Sequence, residues 1–220
     1  MIYKFPSTSA NIRQGDIFIG LPRIDLSLKE VVLADEAGER ITQWAEIAAN
    51  GAPVNIIVPV RPVAAIVITQ DCDAVRGRDI SLCEIRSFKD VERKGKDTSS
   101  AKSWKNLITH HARINQKWFY LPPDTTLGFS GKMAADFMVT LRVPRTDLEE
   151  LRYLRKGRLN DVADEHFRER LSDFYRRYPY DEWYPLDNAE LKAYMAEYPE
   201  VRPFPWQEAM ASECEYKGDS

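Results

Sequence analysis

The residues best suited to chemistry lie together in one short segment, Gln70-Asp71-Cys72-Asp73. They follow an apolar run, residues 63–68, whose β-branched composition is typical of a buried strand. A second strand is predicted at residues 79–85, after a connection whose Gly77 favours a hairpin loop. Two acids, an amide and a thiol are therefore expected at the point where a strand leaves the protein core.

Two interpretations of this segment stay open in the sequence. If the segment is extended, the alternation of side chains places Asp71 and Asp73 on one face and Cys72 on the other. With His110 or His111 nearby, the two carboxylates could hold a divalent cation. The structural interpretation is that the acids bond backbone amides of the hairpin while Cys72 fills the core as a small apolar residue. The sequence favours this structural interpretation, with no metal and no cofactor, and keeps the metal site as the alternative.

A nucleophilic role for Cys72 is disfavoured by its neighbours. A cysteine nucleophile needs a base, and histidine is the conventional one. His110 and His111 lie in a predicted helix, residues 101–110, where adjacent side chains point about 100° apart, so only one ring can face a given site. Negative neighbours also raise the pKa of a thiol and reduce its thiolate fraction. A cysteine hydrolase is therefore not expected.

The lysine-rich stretch 89–105 interleaves basic residues with Trp104, a pattern found in proteins that bind nucleic acid. The formal net charge of −3 argues against nonspecific coating of nucleic acid, which needs a strongly basic domain. Further along, Asp164 and Arg168 form an i,i+4 pair that is typical of a solvated helix face. A solvated loop is the favoured interpretation of residues 89–105, and binding of nucleic acid there is the alternative.

The composition is typical of a globular protein, with 44% hydrophobic and 30% charged residues in a chain of 220. The three cysteines, Cys72, Cys83 and Cys214, form no CxxC pair, so neither a disulfide framework nor a structural zinc site is indicated. No apolar run approaches the roughly 20 residues of a membrane helix, and the N-terminal residues contain no apolar signal-peptide core. We therefore expect a cytoplasmic protein that makes no membrane contact.

The predicted elements change character at Pro144. Before it, alternating or β-branched runs predict strands; they are residues 14–19, 30–33, 55–60, 63–68, 79–85, 117–121 and 136–143. Residues 21–25 are expected to form a loop, and residues 39–49 fit either a helix or a strand. After Pro144 helical patterns replace the strands. The predicted fold class is α+β, with a β-rich part at residues 1–143, a helical and loop insertion near residues 87–116, and a helical part at residues 144–220 packed against it in one body.

The strongest predicted helix begins at Asn160 or Asp161 and continues to Pro179. Its expected apolar face consists of Val162, Phe167, Leu171 and Phe174 with Tyr175. A shorter helix is predicted to begin at Asp187 or Asn188.

The early strands carry a resemblance to a known family. Gly15-Asp16-Ile17-Phe18, Arg61-Pro62 and the strand Ile66-Val67-Ile68-Thr69 resemble the corresponding pieces of the MazF/PemK toxin family. The resemblance covers about the first 90 residues and implies a small SH3-like β-barrel in the N-terminal part. It also implies that Arg61 belongs to an RNA-cleaving site, with Ser87 as the candidate for the hydroxyl residue of that site.

A second resemblance spans most of the chain. A QDCD-type strand end at residues 70–73, an FYLP segment at residues 119–122 and a DF strand at residues 136–137 are similar to a set of uncharacterised bacterial proteins. The resemblance implies a place in bacterial signalling or in toxin–antitoxin-like antiviral defence. Together these observations predict a non-catalytic binding or regulatory component whose partner is another protein. The alternative is a MazF-like endoribonuclease that uses Arg61. The predicted binding residues are Gln70, Asp71, Cys72, Asp73, Arg76 and Trp104.

Overall fold

The protein has an α+β fold built on a large antiparallel sheet. The computed structural model describes residues 2–35, 38–92, 100–111, 117–176 and 187–200. In this part of the chain the strands are β1 (Tyr3–Lys4), β2 (Asp16–Ile24), β3 (Val31–Asp35), β4 (Gly38–Thr42), β5 (Ile56–Ile57), β6 (Val60–Val67), β7 (Asp79–Ser87), β8 (Trp118–Leu121), β9 (Met133–Pro144) and β10 (Arg155–Leu159).

The helices are short except near the C-terminal end. They are α1 (Trp44–Asn50), α2 (Asp71–Arg76), α3 (Phe88–Val91), α4 (Ala101–Asn106), α5 (Arg145–Glu150), α6 (Asp161–Tyr175) and α7 (Asn188–Glu197). A π-helical turn, Leu107–His111, extends α4, and a 3-10 turn, Arg152–Leu154, precedes β10. None of the described helices is both long enough and apolar enough to cross a membrane.

Seven strands form the large sheet in the order β1-β10-β2-β6-β7-β9-β8, and every described pairing in it is antiparallel. Among the described residues the sheet is open, because its end strands β1 and β8 do not pair with each other. The predicted α+β class is therefore confirmed. The finer expectation of an SH3-like barrel stays a prediction.

Apolar side chains cover both faces of the large sheet. Alternation along β6 places Ile66 on one face, where it packs in a cluster with Phe167 and Leu171 of α6. Ala65 and Val67 point to the opposite face and join a second cluster with Leu148 of α5. The core thus consists of two layers of side chains with the sheet between them, and α6 is one of the helices predicted to pack on the strands.

A buried ionic cluster joins the beginning of β2 to β10. Asp16 is fully buried and accepts hydrogen bonds from Arg155 Nη1 at 3.0 Å and Arg158 Nη2 at 2.9 Å. Arg155 also donates to the carbonyl oxygens of Ser7 and Ala10, at 2.7 and 2.9 Å. One buried carboxylate therefore organises two arginines, which in turn hold the segment before β2 against the sheet.

A second, smaller sheet has the order β4-β3-β5. Its core consists of Val31, Leu33 and Ile47, with Ile56 packed against them. Residues 39–49 form neither one helix nor one strand, since they contain most of β4 and most of α1. Gly51 ends α1 in the left-handed conformation, with φ 65°, as the Asn50-Gly51 pair predicts.

Several local predictions are wrong, for identifiable reasons. Residues 21–24 continue strand β2 instead of forming a loop, because Gly20, with φ 92°, accommodates a bulge and pairing with β6 resumes at Leu21. Residues 155–159 form β10 inside the region predicted as helical, since the charged RKGRL segment is held by Asp16 and by β1 and β2. On α6, Val162 and Tyr175 are exposed, and Ala163 takes the buried position beside Phe167 and Leu171.

The chain divides into two units, residues 1–175 and 176–220. This division does not test the sequence-based boundary at residue 143, which stays a prediction. In the second unit, α7 begins with a capping box in which Asp187 Oδ1 accepts from the Glu190 amide and Glu190 Oε2 accepts from the Asp187 amide. The predicted start of this helix is therefore confirmed.

Candidate functional site

The predicted Gln70–Asp73 segment forms the start of a helix, not an extended strand end. Gln70 is the N-cap residue of α2, and its carbonyl oxygen accepts from the Ala74 amide at 2.8 Å. On a helix, residues two apart point about 200° apart, so Asp71 and Asp73 do not share a face. The expected arrangement of both acids on one face is wrong, because the connection between β6 and β7 closes a helical turn. The strands on either side of it are as predicted.

Asp71 is the centre of an ion-pair cluster at this end of the sheet. Its Oδ2 atom accepts from Arg13 Nη2 at 2.8 Å and from Arg168 Nη2 at 3.0 Å, and its Oδ1 atom accepts from the Gln14 amide at 2.9 Å. Partial burial acts to raise the pKa of Asp71, but the bonds from Arg13, Gln14 and Arg168 outweigh it and hold the pKa below its usual value. Asp71 thereby connects α2, the turn before β2, and α6.

Asp164 lies beside this cluster and shares Arg168 with Asp71, at 2.9 Å from its Oδ2 atom. Its Oδ1 atom is buried and has no hydrogen-bond partner among the described residues. Burial, the largest effect, raises the pKa of Asp164, and the Arg168 charge offsets it only in part. The predicted i,i+4 pair of Asp164 with Arg168 is therefore present, but it belongs to a larger group and not to a plain solvated face.

The cysteines occupy opposite environments. Cys72 is exposed on α2, and the buried position of that helix belongs to Ala74. The interpretation of Cys72 as a core residue is wrong, because the helical turn rotates it toward solvent. Cys83 on β7 is fully buried, and burial, with the Asp136 charge as a smaller contribution, raises the pKa of its thiol. Both are free thiols.

The remaining predicted binding residues serve local structure. Arg76 donates from Nε to the carbonyl oxygen of Cys72 at 3.2 Å, which satisfies an acceptor of its own helix. Trp104 is partly buried against Phe88 and Tyr120, with ring centroids 5.2 and 4.8 Å away, and Lys132 Nζ lies 3.9 Å from the Trp104 ring centroid. The face of Trp104 is thus already used in a packed aromatic cluster.

His110 and His111 lie at the end of the π-helical turn, and their side chains fall outside the described residues. In the described part of the chain, no three histidine, cysteine, aspartate or glutamate side chains are grouped closely enough to hold a metal ion. Asp71, the first residue of the alternative metal site, is bonded to two arginines and a backbone amide instead. Residues 93–99, within the predicted basic loop, also fall outside the described range.

A second cluster of charged side chains lies at the opposite end of the strands from Asp71. Arg61 is its one member that was predicted from the sequence. Arg61 on β6 is directly opposite Arg23 on β2. Two acids separate these like charges: Asp25 accepts from Arg23 Nε and from Arg61 Nε, each at 3.0 Å, and Glu84 accepts from both arginines. The four side chains form a closed network of ion pairs in which Glu84 is only 3% exposed.

Ser87 does not converge with Arg61. Ala65 on β6 is opposite Glu84 on β7. Arg61 is four residues before Ala65, so the two side chains lie on the same face of β6, and Arg61 and Glu84 therefore share a face. Ser87 is three residues after Glu84 on the same strand and therefore points to the opposite face. The two residues that the toxin resemblance implies are thus directed to different sides of the sheet.

The acid Asp136 extends the network across β9. It lies opposite Glu84, is 5% exposed, and accepts from Arg86 Nη1 at 3.1 Å and from the Met138 amide at 3.1 Å. The pairing of β7 with β9 shifts at this point, since Cys83 is opposite Thr140 whereas Glu84 is opposite Asp136. Three residues of β9, numbers 137–139, therefore have no partner on β7 and form an irregular bulge.

An open cleft of about 410 Å³ lies beside this bulge. It is lined by two uninterrupted runs of residues, Pro22, Arg23 and Ile24 of β2 and residues 138–142 of β9. Consecutive side chains of a strand point to opposite faces of the sheet. A run without gaps therefore indicates that the main chain of each strand borders the cleft. The exposed side chains of Ile24 and Met138 and the guanidinium groups of Arg23 and Arg142 accompany these two backbones.

The sequence contained a signal for part of this site. Glu84 and Asp136 are lone acids inside largely apolar strand segments, ISLCEI and AADFMV. A charged residue in a buried strand is rare unless it is paired, so such positions are candidates for a network. The cleft itself has no local signal, because it depends on two strands 114 or more residues apart in sequence.

No family model, curated protein or solved structure matches this chain. The resemblances to the toxin family and to the QDCD-type bacterial proteins therefore stay predictions.

Proposed function

We propose that this protein is a non-catalytic binding module whose partner is another protein, and that the partner contacts the cleft between β2 and β9. The observation that carries the proposal is the exposure of Ile24 and Met138, each 61% exposed and both lining that cleft. Single exposed apolar residues are ordinary, but two in one concavity beside Arg23 and Arg142 have the composition of a protein interface, in which apolar anchors and arginines are enriched.

The charged groups next to the cleft support a binding role. Glu84 and Asp136 are buried, and their oxygens accept hydrogen bonds from arginines and from the Met138 amide. Such a network fixes the shape of the neighbouring bulge, and a fixed surface loses little entropy on binding. The alternative function, an endoribonuclease, requires Arg61 and Ser87 to act on one phosphate, although the two residues point to opposite faces.

The proposal also includes an SH3-like barrel and a role in bacterial signalling or defence. We assign β2, β6, β7 and β9 to the wall of an SH3-like barrel that is open at the cleft. The place of the protein in bacterial signalling or phage defence, as a regulatory component, rests on the sequence resemblances alone.

Site-specific photocrosslinking tests the proposal. A photoreactive benzoylphenylalanine replaces Met138 in the full chain, expressed in its native host, and the same group replaces the exposed Val162 of α6 as the control. We expect a discrete protein adduct from position 138 that is absent from position 162. The absence of an adduct at position 138, or equal adducts at both positions, would overturn the proposal.

A second experiment addresses the ribonuclease alternative. Purified protein is incubated with mixed-sequence RNA, with and without magnesium, beside an Arg61→Ala variant. We expect intact RNA in every sample. Cleavage by the wild type that Arg61→Ala abolishes would replace the binding proposal with the ribonuclease.

A further inference from the structure

The two walls of the cleft are strand edges without a strand partner. β10 pairs with β2 only between Asp16 and Phe18, and β8 pairs with β9 only between Met133 and Asp136. Among the described residues, no strand pairs with the outer edge of β2 beyond Gly20 or with the outer edge of β9 beyond Asp136. Unpaired edges are normally covered or blocked, because their free amides and carbonyls recruit other strands.

The hydrogen-bond pattern shows which groups of β2 point into the cleft. In an antiparallel pair, residues alternate between facing the partner strand and facing away from it. The Asp25 amide donates to the Pro59 carbonyl at 3.2 Å, so Asp25 and Arg23 face β6. Pro22 is opposite Pro62, and neither residue has an amide hydrogen, which agrees with a pair that is not hydrogen-bonded. The N–H and C=O groups of Ile24 therefore point away from β6, toward the outer edge.

The same reasoning applies to β9. The Arg145 amide donates to the Arg78 carbonyl at 2.9 Å, so the alternate residues Val143 and Leu141 face β7. Arg142 and Thr140 consequently direct their N–H and C=O groups to the outer edge, on the side of the cleft. Backbone donors and acceptors from both strands are thus available along one concavity.

The cleft has the length for an extended segment. The five residues 138–142 span roughly 16 Å at about 3.3 Å per residue, which matches four or five residues of an extended peptide. The charges of the lining arginines are compensated within the protein, since Arg23 pairs with Asp25 and Glu84 and Arg142 pairs with Asp79. Apolar side chains at alternate positions of an extended occupant can contact Ile24 and Met138.

We infer that the occupant of the cleft is an extended segment of the protein partner, with apolar side chains at alternate positions, which adds a β-strand between the edges of β2 and β9. This inference rests on the proposed function and specifies how the partner is held. Because β2 and β9 run in opposite directions in the sheet, the added strand is antiparallel to one wall and parallel to the other. Main-chain hydrogen bonds then supply affinity, and the alternate side chains supply selectivity.

The test uses proline substitutions that remove only an outward amide. Ile24→Pro deletes the N–H group on the β2 wall and leaves the pairing with β6 intact, because Ile24 does not donate to β6. Arg142→Pro does the same on the β9 wall. The matched controls, Ile24→Ala and Arg142→Ala, lose the same side chains but keep the amides. Circular dichroism and thermal unfolding establish that each variant is folded.

The probe is a fluorescent synthetic peptide, taken as the tightest binder that the wild-type protein selects from a displayed library of random twelve-residue peptides. We expect each proline variant to bind this peptide about tenfold more weakly than its alanine control, the effect of one lost hydrogen bond. Equal affinity of folded proline and alanine variants, or failure of the library to yield a binder, would overturn the inference.

A crosslinking measurement distinguishes strand addition from the binding of a partner at the cleft by other contacts. If the adduct at position 138 forms in the wild type and persists undiminished in Ile24→Pro and Arg142→Pro, the protein binds a partner there but does not add a strand. Loss of the adduct in the proline variants but not in their alanine controls supports strand addition.

Discussion

Glu84 on β7 lies directly opposite Asp136 on β9, and both carboxylates are buried. Like charges at directly opposed positions destabilise a sheet. Here arginines from three strands compensate, since Arg23 and Arg61 bond Glu84 and Arg86 bonds Asp136. The stability of this end of the sheet therefore depends on the complete network and not on any one pair.

Glu84→Gln tests that dependence, because it keeps the shape of the side chain and removes its charge. Arg23 and Arg61 then lose their shared buried counter-ion, and one of its two accepting oxygens is replaced by an NH2 group that cannot accept. We expect the free energy of unfolding in urea to fall by about 2 kcal/mol. Asp25→Asn is the control, since Asp25 bonds the same two arginines from an exposed position and should have a much smaller effect. Equal losses in the two variants would contradict the importance assigned to burial.

Asp71→Asn should destabilise the protein by about 1 kcal/mol at pH 7, a modest value because solvent screens the partly exposed Arg13 and Arg168 pairs. The pKa of Asp71 is lowered in the folded state, so its charge stabilises the protein above the pKa of the unfolded state and ceases to do so as the pH falls through the lower folded value. The difference between wild type and variant in urea unfolding should therefore be constant from pH 7 to about pH 5 and should shrink below about pH 4. A difference that grows on acidification would show that the assigned bonds are wrong.

Asp164→Asn should have the opposite effect on stability to Asp71→Asn. Burial raises the pKa of Asp164, so the folded protein holds this proton more tightly than the unfolded chain does, and the wild type loses stability as the pH rises through the folded value. The neutral amide avoids this loss, and we expect the variant to be more stable than the wild type at pH 7. The gain should diminish as the pH is lowered toward the pKa of the unfolded carboxyl group. A variant that is less stable at pH 7 would mean that the bond to Arg168 outweighs the cost of burial.

Alkylation should distinguish the cysteines. Cys72 is exposed and should react with iodoacetamide in the native protein, whereas Cys83 should react only after unfolding, because it is buried and its thiol pKa is raised. The measurement is peptide-resolved mass spectrometry in a Cys214→Ser background, in which one modification is expected in buffer and two in urea. Native modification of Cys83 in preference to Cys72 would contradict the arrangement of β6, α2 and β7.

Local sequence patterns were sufficient for elements that local forces determine. The apolar runs of β6 and β7, the aromatic strand β8 and the Asn160 cap of α6 all follow from side-chain periodicity and capping chemistry; Asn160 Oδ1 accepts from the Ala163 amide at 2.9 Å. The helix α2 was not predicted, because six residues between two strands are too few to show the helical period of 3.6 residues.

The candidate site was predicted less well, since its geometry depends on long-range pairing. The position of Gln70–Asp73 at a strand end was predicted, but the bonds of Asp71 to Arg13 and Arg168 required contacts 58 and 97 residues away. Glu84 and Asp136 meet only through the register of β7 with β9, which the bulge at residues 137–139 sets. No short-range signal specifies that register.

The hydrogen bonds from Arg155 to the segment before β2 have a consequence for the order of folding. Asp16 is synthesised before its partners Arg155 and Arg158, which follow 139 and 142 residues later. Until those arginines have left the ribosome, the carboxylate has no buried counter-ion and the carbonyls of Ser7 and Ala10 have no guanidinium to bind. The segment that precedes β2 is therefore among the last parts of this region to be secured, and the sheet is completed only after translation has passed β10.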